Sequence, residues 1–500
     1  MTKIRAPRAV FLVIMLAAIP FTSGFRTGAL LLEQRSRIRQ TCIVCMSSTT
    51  DNDSLDEILG QVETLLSDPS HHQKPSYNGW RTLDWKNTAP KQEEEVNPEV
   101  FKVASKKDLI PCSNLPSPVE KILVKDRIVY LKRDDLVRLP ESGVSGNKAR
   151  KLYSLNNIAA SDFPTCVVSY GGPQSNAMVA LAAIVHSKNA TSNGIDEQQL
   201  GINDKSPNRK RFVYYTKTLP RFLRNQPSGN LFRAQSLGME LVELSHAEYQ
   251  KMFGSESGGR PEPPIELKAP VSGDSLWVPQ GGACGVAVQG ARMLAQEIVS
   301  FWINEGRKRP MTVCVPGGTC TTALLLHGEI RRLFSQMNYP LDIQVVVIPC
   351  VGDDAFARRQ MMSLNLETGG TGDENEIPTV LLPSPDSISY FGKPMDDKQG
   401  YFNFGEPDAA ILQTAREMEQ DSDVNLDLLY GAPSWTIMLR HWRTTVPSDA
   451  TSTFDKRNPL AGREVMYVHS GGLEGVASQL TRYRYTGLVH LDEMQYPTRH

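Results

Sequence analysis

From about Phe101 onward, short apolar runs alternate with longer helical stretches, whereas residues 51–98 are polar and lack that rhythm. Strands are predicted over 128–132, 165–170, 211–215, 239–243, 275–278, 311–315, 343–348 and 464–468. Helices are predicted between them, over 147–159, 174–187, 284–304, 320–334, 406–419 and 472–481. Strands alternating with helices call for crossover units and a largely parallel sheet covered on both faces. Three hydrophilic interruptions, 188–210, 253–273 and 366–378, keep no periodicity and are expected as surface insertions. The first carries the sequon Asn189-Ala190-Thr191, which a secreted protein could use for sugar. Residues 51–98 hold one short amphipathic helix candidate, 55–66, and a Lys/Pro/Glu-rich linker. That stretch is read as a disordered tail without a core.

Composition narrows the class. Five hundred residues with 40% hydrophobic and 22% charged content describe a soluble globular chain with room for two or three domains. The net charge of -1 leaves no electrostatic footprint for nucleic acid or an anionic membrane. Eight cysteines in so long a chain make no disulfide framework. Cys166, Cys314 and Cys350 fall in or at the end of apolar runs and read as reduced core thiols. Cys42-Ile43-Val44-Cys45 has metal or redox spacing but no second pair at a matching distance, so no metal site is expected.

The first fifty residues read as an address. Lys3, Arg5 and Arg8 precede the apolar run 9–21, which is too short and too Pro-interrupted to span a membrane. Arg26, Arg35, Arg37 and Arg39 follow with serines and a single acid, Glu33, as in transit peptides. Joined at Thr22-Ser23-Gly24-Phe25-Arg26, the two resemble the bipartite plastid leader of algae with secondary plastids. Plastid import, with no stable membrane anchor after processing, is the expectation; secretion is the alternative.

The densest chemistry lies at Ser145-Gly146-Asn147-Lys148-Ala149-Arg150-Lys151-Leu152, shortly after the run 128–132. It sets Lys148 at a Gly-Asn turn opening a helix, where its amine can face a crevice at a sheet edge. Partial dehydration, with Arg150 and Lys151 nearby, would lower the amine's pKa and suit it to Schiff-base formation. Alone, Gly-Asn-Lys is an ordinary basic helix start; three further motifs change the reading. Ser169-Tyr170-Gly171-Gly172-Pro173-Gln174-Ser175-Asn176 follows a strand and gathers free N–H groups and hydroxyls for an anion, read as a substrate carboxylate. Pro316-Gly317-Gly318-Thr319-Cys320-Thr321-Thr322 ends another strand. Its glycines admit a phosphate close to backbone N–H groups and its threonines add hydroxyl donors. Without a P-loop lysine or a dinucleotide fingerprint, it suits a small phosphate ester. His469-Ser470-Gly471-Gly472 closes the set. A Schiff-base lysine with a phosphate cradle describes a pyridoxal 5'-phosphate site, with Ser470 placed to bond the ring nitrogen.

In this order the segments resemble the pyridoxal-phosphate fold-type II, or tryptophan synthase β-like, family. Within it they are most similar to the branch of D-cysteine desulfhydrase and 1-aminocyclopropane-1-carboxylate (ACC) deaminase. Leu131-Lys132-Arg133-Asp134-Asp135-Leu136, the Gly-Asn-Lys helix, Gly-Gly-x-Gln-Ser-Asn, and Gly229-Asn230-Leu231 before Leu237-Gly238 carry the resemblance, which leaves the insertions unmatched. It implies a two-domain α/β architecture, each domain a mostly parallel sheet flanked by helices. Residues 99–150 and 293–500 would form the larger, cofactor-binding domain and 151–292 the smaller. It implies that Lys148 forms the Schiff base and that Asn176 bonds the cofactor's phenolic oxygen. Ser175 would hold the substrate carboxylate or relay a proton, with Gln174 and Asn176 also on the substrate. Gly317, Gly318, Thr319, Cys320, Thr321 and Thr322 would receive the phosphate, and Tyr430 would stand over the cofactor.

Departures from the pattern shift the expected chemistry. The deaminase carries a Glu directly after that tyrosine, where this chain has Gly431, and Ala177 stands where a polar residue follows the Asn. The segment 400–405 falls where the branch has a second active-site tyrosine. A neutral hydroxyl at the ring nitrogen makes a weaker electron sink, which suits β-elimination better than cyclopropane opening. The expected activity is conversion of a small amino acid, D-cysteine first, to a 2-oxo acid and ammonia by a homodimer. ACC deamination is the alternative. A β-replacement synthase and a catalytically inactive cofactor-binding protein are the other readings.

Overall fold

The computed structural model describes residues 110–111, 116–193, 209–254, 274–305, 309–337, 342–385, 400–442 and 458–490. The leader over 1–50, the tail over 51–98 and the Cys42/Cys45 pair lie outside the described residues. So do 194–208 and 255–273 of the expected insertions.

Twelve strands are described, ordered along the chain as β1 (Ile110–Pro111), β2 (Val119–Val124), β3 (Arg127–Lys132), β4 (Val137–Arg138), β5 (Cys166–Tyr170) and β6 (Arg211–Lys217). They continue as β7 (Glu240–Leu244), β8 (Ser275–Trp277), β9 (Met311–Gly317), β10 (Ile343–Pro349), β11 (Thr379–Val380) and β12 (Glu464–Val468). One sheet has the order β11-β10-β9-β12-β3-β2 and is parallel except for β2, which pairs antiparallel with β3 at the edge. A second, fully parallel sheet has the order β7-β6-β5-β8. A two-stranded pair, β1 with β4, completes the set.

Both main sheets are flanked by helices, as the alternation of runs requires. Successive residues of the central strands supply opposite faces. Val129, Leu131, Cys314 and Tyr467 pack on one side of the six-stranded sheet with α10 (Ala409–Ser422) and α11 (Gly431–Trp442). Tyr130, Val313, Val315 and Met466 pack on the other with α7 (Val288–Asn304), α8 (Thr321–Gln336) and α9 (Asp354–Glu367). The four-stranded sheet buries Val167, Phe212, Tyr214 and Leu276 against α3 (Asn176–Asn193) and α5 (Gly229–Ser236). Full burial of each such side chain contributes roughly 1.5–3 kcal/mol. The two-domain α/β class is therefore present in full.

The helix carrying Lys148, α1 (Gly146–Lys151), is fixed from two directions. A Cβ on Gly290 of α7 would lie 1.9 Å from the Arg150 carbonyl oxygen, so only glycine lets the two helices pack this closely. Arg150 itself turns away from the sheet edge into a buried ion cluster. Its guanidinium donates to Asp134 Oδ1 at 2.8 Å and to Glu297 Oε1 at 2.7 Å, and Lys132 Nζ donates to Glu297 Oε2 at 2.5 Å. The Ser117 hydroxyl donates to Asp134 Oδ1 at 2.6 Å. Burial opposes ionisation of Glu297, but Arg150 and Lys132 hold its carboxyl well below the ordinary range. Two cations facing two carboxylates keep charged groups viable in a dry interior.

Two sequence expectations are corrected here. The first interruption does not begin at 188, because α3 continues to Asn193. The sequon residue Asn189 is not on a surface loop. It is 6% exposed, with Nδ2 donating to the Lys210 carbonyl at 3.0 Å and Oδ1 accepting from the Lys210 N–H at 2.8 Å. The helix is apolar around much of its circumference and sits in the core, so periodicity gave no warning of its length. Several elements escaped the sequence reading. Strand β2 (Val-Glu-Lys-Ile-Leu-Val) mixes polar and apolar positions because it is a half-exposed edge. Helix α11 opens Gly-Ala-Pro, which local propensity reads as a turn. Proline is tolerated there because first-turn N–H groups lack helical partners.

Candidate active site

Lys148, Asn176, Gly318, Thr319, Cys320, Thr321, Thr322, Tyr430 and Ser470 all line one cavity of about 640 Å3. That volume lies within the roughly 300–1,000 Å3 of small-molecule sites. The four motifs, far apart in sequence, thus meet at the carboxyl ends of parallel strands, where loops followed by helices expose unpaired N–H groups.

The lysine end is built by close backbone approach. Gly146 has φ +63°, and a Cβ there would stand 2.5 Å from the Ser470 carbonyl oxygen, which accepts from the Asn147 N–H at 2.9 Å. The loop 470–472 is anchored in turn by His469. Its Nδ1 accepts from the Gly471 N–H at 3.2 Å while Nε2 lies 2.8 Å from the Asn425 carbonyl. Lys148 opens partly to the cavity, yet its pKa falls from 10.5 to about 8. Dehydration is the cause. The neighbouring cations invoked from sequence do not contribute, since Arg150 points to its buried carboxylates. An amine with this pKa is still mostly protonated at neutral pH, but a far larger fraction of it is neutral than of an ordinary lysine, and neutral is the state required of a nucleophile or base.

The phosphate end is the start of α8. Cys320, its N-cap, adopts the left-handed conformation at φ +53° and places no side chain on the helix N–H groups. An uncapped N-terminus of a 16-residue helix therefore faces the cavity. Thr319 Oγ1 and Thr321 Oγ1 lie 2.8 Å apart, and Lys151 Nζ is 3.3 Å from Thr319 Oγ1 and from the Gly281 carbonyl oxygen. Thr322 has its hydroxyl committed to Asn147 Oδ1 at 2.8 Å. Gly318 lies against Tyr430, with any Cβ 3.0 Å from Cε1 of that ring. Gly317 is not among the cavity-lining residues. Its missing side chain makes room for Val347, whose Cγ2 would be 2.6 Å from a Cβ, so that glycine serves packing.

Tyr430 is held by Asp427, whose carboxylate accepts from the N–H groups of Leu429, Tyr430 and Gly431 at 2.8–2.9 Å. Burial pushes the Tyr430 hydroxyl well above its ordinary pKa, so it stays protonated. Tyr401, in the segment 400–405, donates its hydroxyl to the Leu381 carbonyl at 2.7 Å and does not line the cavity.

Gln174 and Ser175 are not among the lining residues. Ser175 Oγ accepts from the Ala177 and Met178 N–H groups at 3.2 and 3.4 Å, which caps its own helix. Gln174 bridges to the next loop, with Nε2 donating to the Ser228 carbonyl at 3.0 Å and Oε1 accepting from the Asn230 N–H at 2.8 Å. Asn176 does line the cavity, and its Oδ1 accepts from Asn230 Nδ2 at 2.7 Å.

Among the lining residues not nominated from sequence are Lys151, Asn147 and Asn230. Lys151 had a readable signal, since it lies three residues after Lys148 and shares its helix face. Asn147 and Asn230 stand in segments that carry the resemblance, but their partners Thr322 and Asn176 come from distant loops, so their place in the site was not readable. Among the described residues no His/Cys/Asp/Glu group could hold a metal ion, and no helix is long and apolar enough to cross a membrane.

No family model matches the chain, and no curated protein does. Solved structures do. It is similar to one described as an ACC deaminase homologue, at 18% identity over 75% of this chain and 95% of that one, with a TM-score of 0.48. An L-serine ammonia-lyase from Rhizomucor miehei is similar at 13% identity over 74% and 98% of the two chains, with a TM-score of 0.38. A hydrogen sulfide-producing enzyme from Fusobacterium nucleatum is similar at 11% identity over 71% and 94%, with a TM-score of 0.34. The arrangement of the site's own residues, rather than these likenesses, carries the reading that follows.

Proposed function

We propose that this chain is a pyridoxal-phosphate-dependent enzyme of the fold-type II class that deaminates a small amino acid by β-elimination. The observation that carries the reading is the pairing, in one cavity, of a dehydrated lysine with an uncapped helix start backed by Lys151. The residues fit the cofactor. Thr319, Thr321, the first N–H groups of α8 and Lys151 would hold the phosphate, and Lys148 would hold the aldehyde carbon. Gly318 leaves the space that a side chain would fill. When bound, the cofactor supplies the electron sink for chemistry at the substrate's α-carbon.

The chain's own groups do the rest. Lys148, with its amine free, would act as the base that takes the α-proton at a pH near 8. Tyr430, kept protonated, donates a hydrogen bond or a proton to a departing β-group. Asn176, steadied by Asn230, lines the same cavity. D-Cysteine is the preferred substrate. Gly431 offers no carboxylate to the ring, and the one carboxylate lining the cavity, Glu474, accepts from the Ser145 hydroxyl. That environment favours a reaction whose electrons depart with a β-thiol. ACC is the second substrate to test, because a fold neighbour is described as an ACC deaminase homologue. A homodimer delivered to a plastid remains part of the proposal.

The test is reconstitution with the cofactor followed by ammonia and sulfide assays on a panel of D- and L-amino acids and ACC. Yellow protein releasing ammonia from a small amino acid, with Lys148→Ala colourless and inactive, is the expected result. Protein that takes up cofactor equally well after Lys148→Ala, and resists borohydride reduction, would overturn it.

A further inference from the structure

We infer that Asn230 is a positioning residue: it commits the Asn176 amide to present its N–H groups, and not its oxygen, to a negatively charged ligand oxygen in the cavity. The inference rests on the proposed function in taking that oxygen from the cofactor's phenol or the substrate's carboxylate. It adds which residue sets the polarity of the loop that meets it.

A side-chain amide has nearly the same shape either way round, so its direction is settled by partners that can only donate or only accept. Three backbone groups settle it here. Asn230 Nδ2 donates to the Gln174 carbonyl at 3.0 Å, and a carbonyl only accepts, so the nitrogen end of Asn230 must face that side. The second hydrogen of the same nitrogen goes to Asn176, whose Oδ1 accepts it at 2.7 Å. The Gln174 side chain is fixed in the same manner. Its Nε2 donates to the Ser228 carbonyl at 3.0 Å, and its Oε1 accepts from the Asn230 N–H at 2.8 Å. With the oxygen of Asn176 taken, Nδ2 is the end left for a ligand.

That nitrogen stands where a ligand would meet it. Asn176 and Asn230 both line the cavity, and Asn176 Nδ2 has no acceptor among the described residues. A Cβ on Gly472 would lie 3.4 Å from Asn176 Nδ2, so the donor lies against the loop 470–472. This is the loop whose Ser470 carbonyl receives the Asn147 N–H at the start of the Lys148 helix. Asn230 has little freedom to turn away. It is 3% exposed and opens α5 directly after Gly229, where φ is +59° and a Cβ would stand 2.6 Å from Gln174 Oε1.

The opposite orientation is penalised twice. Turned over, Asn176 would set its Nδ2 against Asn230 Nδ2, two donors face to face, and its oxygen against the ligand's negative oxygen. In a partly dehydrated cavity each such mismatch leaves a polar group unsatisfied at full cost. An asparagine without this neighbour would divide between the two orientations. Asn230 therefore makes Asn176 a donor before any ligand arrives, and no reorganisation is needed at the moment of binding.

The experiment compares wild type, Asn230→Asp, Asn176→Ala and the double variant, with Asn230→Ala carrying the same test should the aspartate not fold. In either protonation state the aspartate offers Asn176 an oxygen, which turns the Asn176 amide over. Equilibrium dialysis measures affinity for pyridoxal 5'-phosphate and for its 3-deoxy analogue, which lacks the phenolic oxygen. The change in the cofactor's visible absorption measures binding of D-cysteine and ACC, set against cysteamine and cyclopropylamine, which lack the carboxylate. Asn230→Asp is expected to weaken binding about ten-fold, the scale of one bond to a charged group, and to add little once Asn176 is alanine. A loss for pyridoxal phosphate that the 3-deoxy analogue escapes assigns the phenolic oxygen. A loss for the amino acids that the amines escape assigns the carboxylate. Unchanged affinities in Asn230→Asp, losses of the same size with and without Asn176, or equal losses for ligands with and without the oxygen overturn the inference alone. A wild type that takes up no cofactor overturns the proposed function and this inference with it. One that takes it up but releases ammonia from no amino acid overturns the proposed function alone, because the dialysis arm still reads Asn230.

Discussion

Lys148→Met should make the cofactor-free protein more stable at neutral pH while abolishing its activity. The magnitude follows from the amine's pKa of about 8 against an ordinary 10.5. Below pH 8 both folded and unfolded chains carry the proton, and the folded chain bears the full cost of a dehydrated charge. Between pH 8 and 10.5 the folded chain has released a proton that the unfolded chain still holds, so stability rises with pH through that window. Above it the cost is gone. Each pKa unit corresponds to about 1.4 kcal/mol, so the whole shift amounts to roughly 3 kcal/mol. Water reaching the partly open side chain screens some of this, which leaves about 2 kcal/mol. Methionine keeps the length without the charge. Urea unfolding of wild type and variant at pH 7 should show the variant ahead by about that amount, with the gap closing toward pH 10.5. Comparing the two proteins at each pH cancels every other titrating group. A gap absent at pH 7, or constant across the range, would refute the dehydration argument.

Two further predictions concern the cradle and the lysine turn. Lys151→Gln or Thr319→Val should weaken cofactor affinity by roughly ten-fold, since each removes a bond to a charged phosphate worth about 1.5–3 kcal/mol; equilibrium dialysis measures this directly. Gly146→Ala should abolish cofactor uptake, because its Cβ would meet the Ser470 carbonyl at 2.5 Å. Gly143→Ala, at a similar φ of +66° with nothing within 4 Å, should cost only the backbone term of about 1–2 kcal/mol and leave the site loaded. Equal effects of the two alanines would remove the case for a close approach at Gly146.

Much of the fold was legible because it rests on local pattern. The eight expected strands all occur, with 464–468 matching at both ends, since apolar runs such as Val-Cys-Val and Val-Val-Val-Ile belong to strands covered on both faces. Elements lacking that pattern were lost: the half-exposed edge β2, the short helices over 221–253, and α11 behind its Gly-Ala-Pro start. Their existence depends on neighbours, not on periodicity.

The same division runs through the site. Strand, glycine turn and hydroxyl-rich helix start are contiguous in the chain, so Lys148, Thr319 and Ser470 could be nominated from sequence alone. Which side chains actually face the cavity was decided by tertiary structure. Ser175 and Gly317 sit in the right motifs, yet one caps its own helix and the other makes room for Val347. Arg138 and Arg233 carry no motif, and Asn147 and Lys151 flank Lys148 in its motif without a cavity role having been read for them, yet all four line the cavity because β4, α1 and α5 converge there. Even the lowered pKa of Lys148 belongs to the folded state. Sequence placed Arg150 beside it and suggested charge repulsion, whereas packing carries Arg150 to Asp134 and Glu297 and leaves dehydration as the cause. Backbone conformation is chosen over a few neighbouring residues, whereas burial and charge environment are set by residues hundreds of positions away.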